Sequence, residues 1–145
     1  MEISLKLPTF AKREGNMKGR KRDTWQTGRK GEILAGNFLK RKGFRILHTN
    51  WRTGHKELDI VADKADKIHF IEVRSRSRID VVSPEQTIDR IKQQMVMAAA
   101  RNYMARYHIR AEAQFDVIAI VFGPAGTDDP NYELKYIPNA FTLLL

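Results

Sequence analysis

Two short apolar segments, each carrying one acidic side chain, constrain the fold of this chain more than any other feature. Residues 57–62 and 68–74 have the length and apolar character of β-strands, and they carry Asp59 and Glu72. Because strand side chains alternate between faces, Glu72 and Arg74 lie on the same face. Charges inside a sheet persist when they are paired or hold a metal ion. Spacing alone favours a structural ion pair between Glu72 and Arg74, with Asp59 capping or pairing locally.

The composition indicates one folded domain with an anionic partner. The chain has 145 residues, of which 42% are hydrophobic, and its 26 Lys and Arg residues against 17 Asp and Glu give a net charge of +9. This excess favours nucleic acid first and an anionic membrane surface second. The absence of cysteine excludes disulfides, thiolate catalysis and zinc–thiolate sites. No segment has the length of an apolar membrane span and no secretory signal precedes the fold, so we expect a cytoplasmic protein without a membrane partner.

We expect a basic, disordered tail over residues 1–24 and a single domain over residues 25–145. The predicted order of elements is α-β-β-β-α-β-β, which indicates an α/β protein with a central mixed sheet of about five strands flanked by helices. The first helix is predicted from Thr27 to Gly43, and the second from Glu85 to Tyr107 with Ser83 as its cap. Strands are predicted at residues 44–48, 57–62, 68–74, 115–122 and 133–137, with a polar turn at 50–56 and a hairpin loop at 63–67. The buried stripe of the second helix is predicted as Ile88, Ile91, Met95, Ala98, Ala99, Asn102 and Tyr103.

Four short motifs follow one another along the chain. They are Gly28-Arg29-Lys30-Gly31-Glu32, Asn50-Trp51-Arg52, Glu57-Leu58-Asp59 and Phe70-Ile71-Glu72-Val73-Arg74-Ser75-Arg76. Their order and spacing resemble the YraN-like family of small bacterial proteins, which shares the restriction-endonuclease-like fold with archaeal Holliday-junction resolvases. The resemblance covers about residues 28–122 and implies a restriction-endonuclease-like domain.

The resemblance also implies a metal-dependent nuclease site that hydrolyses phosphodiester bonds in branched or structured DNA. In the family's pattern, Asp59, Glu72 and Glu32 correspond to the metal-binding and catalytic carboxylates, and Arg74 to a catalytic lysine. Carboxylate oxygens are the ligands that Mg²⁺ or Mn²⁺ prefers, and the bound ion polarises the phosphoryl group. Resolvases of this fold work as dimers, because two cuts need two symmetric sites, so we expect a homodimer.

Two residues depart from the family's pattern. Arg74 replaces the lysine of the nuclease signature, and arginine can clamp a phosphate but cannot act as a base. Lys56 replaces the glycine before the Glu-x-Asp motif, and Lys92 of the second helix is the candidate for the missing amine. The side chains expected to contact nucleic acid, with DNA favoured over RNA, are Arg52, Lys56, Arg76, Arg78 and Lys92.

Other interpretations stay open from the sequence. The same fold without cleavage would be a nucleic-acid-binding module, and the apolar residues 141–145 are compatible with an assembly protein or with core packing. Asp116 is interpreted as an edge or turn residue, and His69 as a core residue. Trp51 is expected to pack at a strand end, with base stacking as the alternative, and His55 is expected in a surface loop.

Overall fold

The computed structural model describes residues 17–77, 89–123 and 131–142. Within these ranges it describes the side chains from residue 27 onwards, except that of Ser77. Its elements are α1 (Met17–Arg41), β1 (Arg45–Thr53), β2 (Lys56–Lys64), β3 (Lys67–Ser77), α2 (Arg90–Arg106), β4 (Glu112–Phe122) and β5 (Tyr132–Phe141). This order confirms the predicted succession of helices and strands. In the described part of the chain, no helix combines the length and the apolar character that crossing a bilayer requires.

The five strands form one mixed sheet in the order β1-β2-β3-β4-β5. Three neighbouring pairs are antiparallel, whereas β3 and β4 are parallel. A parallel pair needs a crossover connection, and α2 lies in the connection between these two strands. The predicted α/β class with a five-stranded mixed sheet is therefore confirmed, and the arrangement is compatible with the restriction-endonuclease-like fold.

The two helices pack on opposite faces of the sheet, and each face has its own apolar cluster. On the α1 face the buried residues include Leu34, Phe38, Leu39, Ile60, Ile71, Ile118 and Ile120. On the α2 face they include Val61, Phe70, Val96, Ala99, Ala100, Tyr103, Phe115 and Val117. Because Val117 and Ile118 are adjacent in β4 but belong to different clusters, β4 is covered on both faces, which fits its nearly continuous apolar sequence.

Both helices begin elsewhere than predicted. Helix α1 begins at Met17 rather than Thr27, so it includes residues 17–24, which the sequence assigned to the tail. Helix α2 begins at Arg90, because the extended backbone of Asp89 (φ −77°, ψ 172°) makes that residue the N-cap. Residues 1–16 and 78–88, which include Ser83, Glu85 and Arg78, lie outside the described residues.

The predicted buried stripe of α2 is wrong in part. Ala99 and Tyr103 are buried as expected, but Ile91 is 69% exposed and Met95 is 38% exposed. The buried positions are Val96, Met97, Ala99, Ala100 and Tyr103. The helix carries two overlapping apolar faces, and packing selects the one whose small alanine side chains let the helix approach the sheet.

The strands are longer than predicted at their turns. Strand β1 continues to Thr53, so most of the expected polar turn at residues 50–56 is strand. The loop between β2 and β3 narrows to Ala65 and Asp66, both with positive φ (51° and 64°), as in a type I′ hairpin turn. At the end of β5, Phe141 is buried in the α2-face cluster, and residues 143–145 lie outside the described residues.

Candidate active site between strands β2 and β3

Strands β2 and β3 separate partway along their length, and an acidic side chain lies at the fork. The two strands pair from the hairpin turn as far as Ile60 and Ile71. Beyond that point β2 pairs with β1, and β3 pairs with β4. The Oδ2 atom of Asp59 accepts a hydrogen bond from the backbone N–H of Val73 at 2.9 Å. A carboxylate therefore takes the place of a strand carbonyl at the point of separation.

Glu72 is the buried carboxylate of β3, with a residue exposure of 4%. Its Oε1 atom lies 3.4 Å from the Nζ atom of Lys92 in the first turn of α2. That turn is fixed by the N-cap, because the backbone N–H of Lys92 donates to the Asp89 carboxylate at 2.8 Å. The cap of α2 thus positions an ammonium group that offsets part of the cost of burying the Glu72 charge.

Glu32 approaches the fork from α1. Its Oε2 atom accepts a hydrogen bond from the Nδ2 atom of Asn50 in β1 at 2.9 Å. Asn50 has a φ of 51°, a left-handed conformation that asparagine adopts more readily than most residues. The bond connects the helix to the strand that borders β2.

The three carboxylates interact electrostatically. Burial is the largest cause of the raised pKa of Asp59, and repulsion from Glu72 and Glu32 adds to it against the hydrogen bond from Val73 and the charge of Lys92. Burial also raises the pKa of Glu32, which the hydrogen bond from Asn50 opposes. We refer to Glu32, Asp59 and Glu72, whose charges interact but which do not converge as three metal ligands, as the carboxylate cluster; their chemical roles stay predictions.

The carboxylate cluster has the donor chemistry that a hard divalent cation requires. Mg²⁺ is commonly held by one or two carboxylates, with water and phosphate oxygens completing its shell. Asp59 and Glu72 can supply such ligands, and a cation would relieve the repulsion that raises the pKa of Asp59. In the side-chain positions of the described residues, no three acidic or histidine side chains converge as metal ligands.

The basic side chains predicted to contact nucleic acid have different environments. Lys92 pairs with Glu72, and the exposed side chain of Arg52 lies 3.8 Å from the Glu57 carboxylate. Arg76 is half-buried and donates from Nη1 to the backbone oxygen of Ser75 at 3.0 Å. Lys56 and Arg74 are half-buried on β2 and β3, and Arg78 lies outside the described residues.

Asp116 is buried in β4, so its interpretation as an edge or turn residue is wrong. Its side chain is 0% exposed and accepts hydrogen bonds from His69 Nδ1 and Tyr136 Oη, both at 2.7 Å. Gln114 and the backbone N–H of Asn139 donate to its other oxygen, each at 2.9 Å. Burial alone would raise the pKa of Asp116, but the four hydrogen bonds outweigh it and lower the pKa. The sequence feature that could have indicated this buried role is the position of Asp116 within an otherwise apolar strand.

Three aromatic or histidine side chains lie where the sequence indicated. His69 is buried, as predicted, with an exposure of 6%. Trp51 packs against Tyr103 and Tyr107, with ring centroids 5.1 and 6.4 Å apart, which confirms strand-end packing. His55 is an exposed residue of the β1–β2 turn.

Comparison with known proteins adds the family. The model of Uncharacterised protein family UPF0102 matches residues 31–120, a range that contains all three members of the carboxylate cluster. A UPF0102 protein of Porphyromonas gingivalis is 34% identical over 118 residues, covering 81% of this chain and 85% of the relative. One from Flavobacterium psychrophilum is 38% identical over 114 residues, covering 79% and 92%. One from Pelobacter propionicus is 33% identical over 142 residues, covering 96% and 99%. The chain belongs to the UPF0102 family, which confirms the YraN-like resemblance of its motifs.

Proposed function

We propose that this protein is a metal-dependent nuclease that hydrolyses phosphodiester bonds, with branched or structured DNA as its substrate. The observation that carries the proposal is the carboxylate cluster at the fork, where Asp59 and Glu72 come from two strands and Glu32 from a helix. A net charge of +9 supports a polyanionic substrate. The resemblance to archaeal resolvases supports the substrate class.

Each residue of the site has a role that its position supports. Asp59 and Glu72 would hold Mg²⁺ or Mn²⁺, and the ion would polarise the phosphoryl group and lower the pKa of the attacking water. Glu32, whose pKa is raised by burial, is suited to accept a proton from that water. Arg74 would position the scissile phosphate through its guanidinium N–H groups. Lys92 would stabilise charge on the phosphate beside Glu72.

A nucleic-acid-binding module without cleavage is the second candidate. The observation in its favour is the ion pair between Lys92 and Glu72, because the ammonium supplies a positive charge where the first proposal needs a metal ion. Arg74 in place of the lysine of the nuclease signature points the same way. In this alternative the carboxylates stabilise the fork and the basic side chains bind phosphates.

Strand cleavage separates the two candidates. Labelled linear, flap and four-way-junction DNA would be incubated with Mg²⁺ or Mn²⁺ and the wild type, Asp59→Ala or Glu72→Ala. Asp63→Ala is the matched control, because Asp63 lies on the same strand but pairs with Arg45 at the hairpin end. We expect metal-dependent cutting that both site variants lose and the control retains.

The same assay decides in favour of the module if the wild type binds these DNAs but cuts none with either metal. Binding that weakens steeply with salt supports both nucleic-acid functions against an assembly protein. A resolvase-like activity also requires a homodimer, which sedimentation would detect as a species of twice the chain mass.

A further inference from the structure

A second concave site lies near the β2–β3 hairpin, outside the carboxylate cluster. We name it the lysine–aromatic cavity; its volume is about 360 Å³, at the lower end of the roughly 300–1,000 Å³ of ligand pockets. Phe38 of α1 lines it and follows Glu32 by six residues, or about 9 Å along the helix axis. His69 of β3 also lines it, on the strand face opposite Glu72.

Four rings form much of the cavity wall. Phe44 meets His69 edge to face with centroids 4.9 Å apart, and Tyr136 lies 6.1 Å from Phe44 and 5.9 Å from Phe38. Phe38 is fully buried and Phe44 and His69 are nearly so, which leaves the half-buried ring of Tyr136 and the exposed edges of Phe44 and His69 to contact a ligand. The wall therefore favours an aromatic or apolar body in the cavity.

Three lysines give the cavity a positive charge. Lys42, Lys64 and Lys67 line it, and among its described lining residues none is acidic. Lys64 is held by a hydrogen bond to the backbone oxygen of Lys42 at 2.7 Å, with its Nζ atom 4.9 Å from the centroid of Phe44. Lys67 lies 3.9 Å from the exposed carboxylate of Glu112. The charge favours an anionic ligand.

A hydrogen-bond network beneath the cavity holds the imidazole ring of His69 in one orientation. The Nδ1 atom of His69 lies 2.7 Å from Asp116 Oδ2, and Tyr136 donates to the same carboxylate at 2.7 Å. Because the buried Asp116 carboxylate accepts a hydrogen bond from Nδ1–H, the Nε2 atom of the neutral ring is the acceptor that remains for a ligand in the cavity. The carboxylate charge is itself held by four donors beneath the wall.

We propose that the lysine–aromatic cavity binds a small aromatic anion of the size of a nucleoside monophosphate. Its ring would lie against Phe44 and Tyr136, its phosphate would face the lysines, and His69 Nε2 would accept a hydrogen bond from an N–H group of the ring. This site is separate from the carboxylate cluster and does not depend on cleavage.

The test is a titration of the isotope-labelled full chain followed by NMR, in buffer with a chelator so that no metal bridges a nucleotide to the carboxylate cluster. The probes are AMP, adenosine and inorganic phosphate. With AMP we expect saturable shifts of the His69 ring signals and of the Lys64 and Lys67 amides. We expect adenosine and phosphate to bind at least about tenfold more weakly, since each lacks one half of the recognised chemistry.

A charge reversal tests the positive rim. Lys64→Glu is expected to weaken AMP binding by about tenfold, as for loss of a close Coulomb partner in a partly screened position. Lys64 is exposed, so its replacement leaves the core intact. Lys40→Glu is the matched control, since Lys40 is an exposed residue of α1 outside the cavity.

Three results would overturn the proposal. The first is no saturable shift of the His69 ring with AMP. The second is phosphate binding as tight as AMP binding, which would make the rings irrelevant. The third is equal weakening by Lys64→Glu and Lys40→Glu, which would mean that AMP responds only to the overall charge.

Discussion

The carboxylate of Asp59 accepts the backbone N–H of Val73 at 2.9 Å, so one side chain of β2 completes the hydrogen bonding of β3 where the strands separate. The same carboxylate is half-buried near Glu72; desolvation is the largest cause of its raised pKa, and repulsion from the Glu72 charge is the next. Asp59 therefore stabilises the fork by accepting a hydrogen bond and destabilises it through its negative charge. These two contributions separate experimentally because an amide oxygen accepts the same bond without the charge.

We expect Asp59→Asn to increase the free energy of unfolding at neutral pH in the absence of metal. The folded-state pKa of Asp59 lies above its unfolded value of about 3.9, so the folded wild type binds more protons between the two values and loses stability as pH rises through that window. The variant lacks this loss. Urea unfolding of both proteins from about pH 4 to pH 8 measures the difference.

Asp63→Asn is the control of opposite sign. The hydrogen bond from Arg45 lowers the pKa of Asp63, so its contribution is present above the unfolded pKa and lost as pH falls. A small loss of stability at neutral pH is expected, because this pair is at the surface. If Asp59→Asn also destabilised the protein at neutral pH, the charge of Asp59 would be favourable and the electrostatic account would be wrong.

Metal binding is expected to stabilise the wild type. A ligand that binds only the folded state adds about 2.7 kcal/mol at a hundredfold excess over its Kd, which appears as a rise in Tm with Mg²⁺ or Mn²⁺. Asp59→Asn and Glu72→Gln should abolish the rise, and Asp63→Asn should retain it. Because the ligands bind metal when deprotonated, the effect should grow as pH rises through the raised pKa of Asp59. An equal rise in all four proteins would indicate nonspecific binding elsewhere.

Lys92→Met should destabilise the metal-free protein. The substitution leaves Glu72, which is 4% exposed, without the ammonium 3.4 Å away. Because the side chain of Lys92 is itself 35% exposed, we expect a loss of about 1–2 kcal/mol rather than the 3–5 kcal/mol of a fully buried pair. Chemical denaturation measures this loss, and added Mg²⁺ should recover part of it if a cation binds beside Glu72. Replacement of the exposed Lys40 by Met is the control and should have little effect.

Local sequence patterns were sufficient to predict the strands and the acidic residues that they carry, but not the contacts between strands across the sheet. Asp59 and Glu72 lie in short apolar runs, so their place in β2 and β3 follows from periodicity. The network of Asp116 with His69 depends on the parallel register of β3 and β4, which places residue 69 opposite residue 114. That register is set by the crossover through α2 and leaves no local signal.

The stripe of α2 was mispredicted for a related reason. Both Met95 and Val96 satisfy a helical period, and only the approach of Ala99 and Ala100 to the sheet decides which is buried. The boundary of α2 depends on Asp89, whose carboxylate caps the helix, whereas the predicted cap, Ser83, lies outside the described residues. Glu32 was predicted as a site residue from its motif and not from periodicity. Its hydrogen bond from Asn50 could not be predicted, because Asn50 has a left-handed backbone conformation that the strand pattern does not indicate.

Gly31 of α1 lies against Ser75 of β3, which gives a final test of how Glu32 is positioned. A Cβ atom at Gly31 would overlap Ser75 Oγ and lie 3.1 Å from Ser75 Cβ and 3.7 Å from Ile120 Cδ1. In Gly31→Ala the Ser75 hydroxyl must rotate or α1 must move from the sheet, and rotation alone leaves the short distance to Ser75 Cβ, so we expect a loss of about 1–3 kcal/mol from overpacking. Gly36→Ala is the matched control, because nothing lies within 4 Å of its added Cβ, and helix propensity should stabilise it by up to about 1 kcal/mol.

Ser75→Ala should partly rescue Gly31→Ala. The Oγ atom of Ser75 is buried without a hydrogen-bond partner in the described part of the chain, so its removal relieves the overlap and sacrifices no bond. Unfolding free energies of the two single variants and the double variant measure the coupling between these positions. If the effects of the two single substitutions simply added, the overlap with Ser75 would not be the cause of the loss in Gly31→Ala. If Glu32 contributes to the metal site, Gly31→Ala should also weaken the Mg²⁺-dependent rise in Tm. Gly36→Ala should leave the rise unchanged, because only the first substitution crowds the helix turn that carries Glu32.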